Sequence, residues 1–289
     1  MKRALVALVT LAFALTASAA GKKIVFLAGP PSHYPGDHEH RAGCLLFQSC
    51  LDRLPGVTSE VYSNGWPQNP ETAFAGAATI VIYSDGGEGH PFLRDDRLHT
   101  IGRLMKQGVG LVCLHYAVEP TKARGEKEFL DWIGGCFEQY WSVNPTWRAE
   151  FNKLPAHPIT RGVLPFALTD EWYFHMRFRD GMTGVLPILS AVAPPATMNR
   201  PDGSHSGNPA VRESVKRGDA QILAWAYERP DGGRGFGFTG GHFHRNWGND
   251  ECRKLVLNAI LWTAKAEVPA DGVSCHVTPQ DLQRNLDSK

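Results

Sequence analysis

Seven of the twelve histidines follow segments that read as β-strands. The first such segment, residues 23–28 (KIVFLA), leads into His33, His38 and His40. The third, 78–83 (ATIVIY), ends in SDGGEGHP with Asp85, Glu88 and His90. The fourth lies in 108–119 (GVGLVCLHYAVE), where an apolar run stops at His115, with Glu119 close behind. The last, 235–239, runs into GGHFHRNWGND with His242 and His244. Neutral imidazole is the commonest ligand for zinc and similar metals. Without metal it titrates near neutrality and suits proton transfer. The site chemistry expected here is therefore histidine acid–base catalysis, metal-assisted catalysis, or both. Asp37, Glu39, Asp85, Glu88 and Glu119 are within reach in sequence as further ligands or as partners that orient the imidazoles. In an extended chain His242 and His244 point the same way, which favours chelation or a relay.

These residues meet only if the strand ends share one edge. The wholly apolar run 111–114 reads as a central parallel strand buried on both faces. Strands at 23–28, 57–62, 78–83 and 111–114 alternate with amphipathic helices, a βαβ pattern that implies a parallel sheet with right-handed crossovers. In such a sheet the functional crevice lies at the carboxyl ends of the strands. Asp37 is expected to cap the first helix, leaving His38 and His40 on different sides of it. Asn249 is expected to cap the last helix. After Glu119 the pattern turns irregular and β-rich, with strands expected at 147–152, 169–178, 185–192, 221–227 and 235–239. Residues 194–218 read as a long surface excursion. The strand 169–178 carries Glu171, Trp172 and His175, and His175 reaches the site if the insertion covers the sheet edge. His99 and His276 read as surface residues and His157 as structural.

Residues 1–20 read as a signal peptide: Lys2 and Arg3, an apolar core too short to anchor, then Ala17-Ser18-Ala19. The expected product is a periplasmic or secreted protein with no membrane span after cleavage. Residues 21–266 are expected to form one α/β domain and 267–289 an extension over its surface. The formal net charge of +1, with no basic run, argues against nucleic acid as a partner. Twelve histidines and eight tryptophans favour metals or sugars. Trp172 and Trp247 are candidates for stacking on a sugar face. Six cysteines in an exported chain permit disulfides, and Cys252–Cys275 is one open pairing. No GxGxxG follows the first strand and no GxxxxGK[ST] occurs, so no nucleotide cofactor is expected. No GxSxG elbow supports a serine hydrolase.

The stretches KIVFLAG, YSDGGEGHP, GVGLVCLHYA, HPITRG, DEWY and GGHFHRNWGNDECRKLVLNAILWTA resemble the ThuA-like (trehalose-utilisation) family, over nearly the whole chain beyond residue 20. That resemblance implies a class I glutamine amidotransferase-like fold, a flavodoxin-like doubly wound parallel sheet, here with a β-rich insertion. In such amidotransferases the elbow after the central strand holds a nucleophilic cysteine, and a Phe-His-Pro-Glu pattern completes a triad. Here the elbow is His115, Cys113 lies two residues back, and the later motif reads Phe243-His244-Arg245-Asn246. These departures argue against glutamine hydrolysis. The resemblance further implies disaccharide use and the processing of 3-keto-glycosides.

The leading expectation is an exported carbohydrate-processing enzyme, a lyase, isomerase or hydrolase acting on a keto-glycoside. His115, His244, His242, His90 and Glu119 are its catalytic candidates. His40, Glu88, Trp172, His175 and Trp247 are candidates for substrate binding. His115, His242, His244, His90 and His38 are candidates for a divalent metal, zinc or similar. A non-catalytic carbohydrate-binding protein and a metallohydrolase are the rivals. The expected partner is a small sugar, and the oligomeric state stays open.

Overall fold

The structure is a computed structural model that describes residues 21–289. The expected signal peptide, 1–20, lies outside the described residues. Seven strands form the main sheet in the order β2-β1-β3-β4-β11-β10-β9. β1 (Lys22–Ala28), β2 (Val57–Tyr62), β3 (Ala77–Tyr83), β4 (Gly110–Leu114) and β11 (Arg234–Phe238) are mutually parallel. β9 (Val185–Val192) and β10 (Ala220–Glu228) extend the edge antiparallel. The first four parallel strands lie in the order 2-1-3-4 and β11 follows as the fifth, which is flavodoxin-like doubly wound topology.

The alternation of side chains along β1 explains the two layers. Ile24, Phe26 and Ala28 pack toward α1 (His40–Leu51) and α6 (Asp250–Thr263). Val25 and Leu27 pack on the opposite face toward α3 (Arg97–Lys106) and α4 (Glu126–Trp132). The short helix α2 (Pro70–Phe74) joins this second layer through Phe74. All five residues of β4 are buried, as a central strand covered on both faces requires.

The insertion between β4 and β11 is β-rich, with two differences from expectation. The segment expected as one strand over 169–178 is divided. β7 (Phe166–Glu171) pairs with β6 (Thr146–Phe151), and β8 (Arg177–Phe178) pairs with β5 (Gly135–Cys136). The break includes His175, whose φ of 56° no strand accommodates. The stretch read as a surface excursion contains a helix, α5 (Pro209–Arg217), capped by the Asn208 side chain and buried through Val211 and Val215.

At the first helix the cap differs too. α1 begins at His40, and Glu39, not Asp37, occupies the N-cap position. Asp37 instead bridges to Phe243, which ties the loop after β1 to the loop after β11. Asn249 caps α6 as expected, its side chain accepting from Cys252 N.

The cysteine pairing differs as well. Cys252 sits in the first turn of α6, buried and free, and the disulfide joins Cys50 to Cys275. It pins the C-terminal segment across α1. Within that segment Val268 and Val273 are buried, and the Asn258 side chain accepts from Val273 N at 2.8 Å. Further on, Asp287 N donates to Glu39 Oε2 at 2.7 Å. The bridge closes a loop of 225 residues, so Cys50→Ser is expected to lower stability by about 2–4 kcal/mol. Denaturant titration with and without reductant checks this, and equal midpoints for variant and wild type would contradict it.

Candidate metal centre

Three strand ends and one insertion strand deliver the site. His38 comes from the loop after β1, with a φ of 48° and 1% exposure. His115 is the first residue after β4, also left-handed at φ 55°, and fully buried. A non-glycine residue in that region costs about 1–3 kcal/mol and persists only where surrounding contacts over-determine it. Here it turns the chain out of the strand into the short 3-10 turn His115–Val118. After β11 the chain passes Gly241, at φ 105°, before His242. Glu171 is the last residue of β7.

Asp170, beside Glu171, fixes the two chain segments against each other. Its carboxylate, 1% exposed, accepts from Gly241 N at 2.7 Å, His242 N at 3.1 Å and Asn246 Nδ2 at 2.9 Å. It also accepts from Glu171 N at 2.8 Å.

The candidate ligand atoms converge. His38 Nε2 lies 3.1 Å from His115 Nε2 and 3.0 Å from His242 Nδ1. Glu171 Oε2 lies 3.2 Å from His242 Nδ1 and 3.5 Å from His115 Nε2. With metal–ligand bonds of about 2.0–2.1 Å, neighbouring donors of one ion would stand roughly 3 Å apart, the range of these four distances.

The outer partners decide the tautomers. His115 Nδ1 faces the Thr239 carbonyl at 2.9 Å, which can only accept, so Nδ1 carries the proton and Nε2 is bare. His38 Nδ1 faces Asp85 Oδ1 at 2.7 Å. Burial pushes the Asp85 carboxyl up, but the hydrogen bond from His38 and the neighbouring imidazoles outweigh it and hold the group at about 2. Asp85 is thus an acceptor, and His38 Nε2 is bare as well. Two bare lone pairs 3.1 Å apart do not bond each other. A cation at the centre satisfies both; without one, His38 Nε2 can accept from His242 Nδ1 at 3.0 Å and His115 Nε2 from the Tyr173 hydroxyl at 3.2 Å. Burial lowers the pKa of His242, yet the hydrogen bond and charge of Glu171 prevail and raise it. Burial likewise acts upward on Glu171, but His115 and His242 hold it well below the usual carboxylate range. Burial drives His38 down to about 2, which keeps it a neutral donor. The donor set, three imidazoles and a carboxylate, with Asp85 behind His38, the Thr239 carbonyl behind His115 and Asn144 Nδ2 donating to Glu171 Oε1 at 3.2 Å, fits a divalent metal such as zinc. The Tyr173 hydroxyl stands 3.2 Å from His115 Nε2 at its margin. His33 stacks on His38 at 3.6 Å and faces solvent.

Other candidates lie elsewhere. His244 opens a 3-10 turn, His244–Gly248, so the extended geometry that would align it with His242 ends there. Its imidazole is buried with Nδ1 unpartnered, and it does not join the cluster. His90 is also absent from it: Nδ1 accepts from Phe92 N at 3.1 Å and Nε2 meets the Ala117 carbonyl at 3.2 Å, a structural role. His40 is fully buried behind Asp85, with Nδ1 3.1 Å from the Pro30 carbonyl, too enclosed to meet a substrate. Trp172 and Trp247 are fully buried core residues, packed on Phe238, so neither offers a face to a sugar. His175 lies against Trp141 and bonds its carbonyl at 3.0 Å. Glu88 is exposed in the turn Gly87–Gly89. His157 caps the turn Pro158–Thr160.

Glu119 is fully buried outside the cluster, where His205 Nε2 meets both its oxygens at 3.0 Å. Sequence reasoning passed over His205, Tyr173 and Asp170. The first lies in a polar loop, and the other two lie on a stretch read only as a strand.

Burial brings His40, His90 and His244 each down to about 4. An unfolded chain protonates them near 6.5. Between those values the unfolded state binds the extra protons, so stability falls as pH drops from 6.5 toward 4. Each contributes about 1.4 kcal/mol per pH unit. Against a total of about 5–15 kcal/mol, the metal-free protein is expected to unfold cooperatively above pH 4. Circular dichroism across pH 4–8 checks this, and a flat stability between pH 6.5 and 4.5 would contradict it.

A family model described as ThuA, trehalose utilisation, matches residues 56–263. Among solved structures, a ThuA-like protein of Bacteroides uniformis aligns at 15% identity and a TM-score of 0.56, covering 87% of this chain and 95% of its own. A ThuA-like protein of Parabacteroides merdae aligns at 14% identity and 0.53, covering 90% and 94%. A glutamine amidotransferase of Thermotoga maritima aligns at 9% identity and 0.46, covering 86% and 99%. A search of curated proteins returns no match. The family match runs from the turn before β2 to the end of α6, more than half of the chain, and the protein belongs to the ThuA (trehalose utilisation) family.

Proposed function

We propose that the protein is an exported, metal-dependent enzyme that acts on a keto-glycoside or a related sugar. The observation that carries the reading is the facing of bare imidazole nitrogens, His38 Nε2 and His115 Nε2 at 3.1 Å, beside His242 and Glu171. When bound, a divalent cation supplies Lewis-acid polarisation of a substrate oxygen. The chain's own residues do the rest. His38, His115, His242 and Glu171 would hold the cation, while Asp85 and the Thr239 carbonyl fix the ring orientations. The Tyr173 hydroxyl, beside His115, can hydrogen-bond a substrate oxygen placed there. A carbonyl acidifies the hydrogen on its neighbouring carbon, so a keto-sugar is the substrate on which such a site gains most. The family description, trehalose utilisation, supports a sugar. Export is supported by residues 1–20 and by the Cys50–Cys275 disulfide, which an oxidising compartment maintains.

The carbohydrate-binding alternative calls for an exposed aromatic groove and scattered histidines. Against it stand the burial of Trp172 and Trp247 and the meeting of three imidazoles. Against glutamine hydrolysis stands Cys113, fully buried in β4, where burial pushes its thiol far up.

The test is deuterium exchange in D2O with the 3-keto derivatives of trehalose and methyl glucoside, followed by NMR. Zinc- or manganese-loaded protein is expected to exchange the hydrogen next to the carbonyl or to release product, and chelated protein is not. No exchange and no turnover with any loaded metal would overturn the reading.

A further inference from the structure

His244 is turned away from the site, and His33, stacked on His38, is a solvent-facing imidazole beside it. A second cluster supplies a better-ordered base. Glu119 carries a carboxylate with no exposure, and its protein partners are the Gln139 amide at 2.9 Å and His205 Nε2 at 3.0 Å. A buried carboxylate accepts only, so His205 carries its proton on Nε2 and is bare at Nδ1. Nδ1 lies 2.9 Å from the Ser204 hydroxyl, which donates to it. The imidazole is fixed on its face by Phe137, stacked at 5.1 Å. Its chain segment is tied down by Tyr140 N to the Ser204 carbonyl at 2.8 Å and Asn144 N to the His205 carbonyl at 3.0 Å. Yet the ring keeps 26% exposure, unlike the enclosed His40 and His90.

The cluster borders the metal centre. The Tyr116 ring neighbours both, 6.2 Å from His38 and 6.4 Å from His205. Tyr173 links them a second way, 4.6 Å from His115 and 5.4 Å from Phe137.

We propose that His205, oriented by Glu119, is the catalytic general base and acid of the reaction. The assignment rests on the functional reading above. The substrate's C–H bond next to the carbonyl breaks, and its proton passes to His205 Nδ1 as the Ser204 hydroxyl swings aside. The C–H electron pair forms a carbon–carbon double bond, and the carbonyl π pair moves onto oxygen. The imidazolium that results is balanced by Glu119. Return of the proton to the same carbon regenerates substrate. Once the substrate hydroxyl on the deprotonated carbon has passed its proton to the former carbonyl oxygen, delivery of the His205 proton to the former carbonyl carbon gives the isomeric ketone. Either return leaves His205 neutral, and no further reactant is consumed.

The test uses His205→Ala and His205→Gln in the D2O exchange assay with 3-keto-trehalose, alongside metal content by mass spectrometry. Both variants are expected to keep wild-type metal content and lose about 10²–10⁴-fold in exchange rate. Free imidazole is expected to restore His205→Ala, a response that a structural role would not give. Glu119→Gln is expected to lose exchange while retaining metal. If wild type is active and the His205 variants are equally active, lose metal, or ignore imidazole, this assignment alone is overturned. If loaded wild type is inert, the functional reading fails and the assignment falls with it.

Discussion

His115→Ala is expected to weaken metal binding by at least about a hundredfold. Metal-binding free energies of about 10–16 kcal/mol spread over four ligands place about 3 kcal/mol on each. Truncation also removes a fully buried ring packed on Tyr173, so the melting temperature of the metal-free variant is read alongside its affinity. The φ of 55° gives the variant a further signature: alanine is no better suited to that region than histidine, so His115→Gly recovers some stability but no metal. Asp85→Ala acts one shell out. It frees His38 to rotate and to place its proton on Nε2, so the expected loss is about 10–100-fold. Competitive titration against a chelator measures both. Wild-type affinity in His115→Ala would remove that residue from the ligand set.

The largest effect on stability is expected at Asp170. Its carboxylate accepts from three backbone N–H groups and the Asn246 amide, all at 3.1 Å or less. Truncation to alanine leaves these donors without a partner in a site that is 1% exposed. An unsatisfied buried donor costs about 1–3 kcal/mol, and more when the lost acceptor was charged. Some donors relax toward water, so the expected destabilisation of Asp170→Ala is about 3–5 kcal/mol. Asp170→Asn keeps one acceptor oxygen and is expected to fall between the two. The metal site should loosen with it, because Glu171 and His242 are the neighbours that Asp170 holds. Thermal melts of the metal-free proteins read the first effect, and chelator competition reads the second. A melting temperature within a degree of wild type would contradict this account of the clamp.

The sheet was legible because its signals are local. Apolar runs bounded by glycine and polar turns mark β1, β3 and β4, and the meeting of their carboxyl ends follows from parallel topology. That reasoning brings His38, His115 and His242 together without knowledge of any side chain's direction. It fails where the backbone leaves regular geometry. His242 and His244 share a face only in an extended chain, and the chain turns into a 3-10 helix at His244. His90 follows β3 as expected, but Pro91 behind it folds the turn so that the ring caps Phe92. Glu171 and Asp170 were hidden because a strand of alternating character carries no sign of which carboxylate faces a site. His205 was hidden in a polar loop whose order depends on contacts with Tyr140 and Asn144, far away in sequence. The Cys50–Cys275 bridge joins residues 225 apart and has no spacing signal at all.

The central claim is that His38, His115, His242 and Glu171 hold one metal ion. X-ray absorption at the metal edge of the loaded protein, with metal content measured on the same sample, tests it most directly. The account predicts about one equivalent of metal, a nitrogen and oxygen shell at about 2.0–2.1 Å, and the outer-shell scattering of about three imidazoles. It also predicts that this imidazole scattering disappears with the metal in a His115→Ala/His242→Ala variant. Less than a tenth of an equivalent in wild type, or a bound metal with no imidazole scattering, would contradict it.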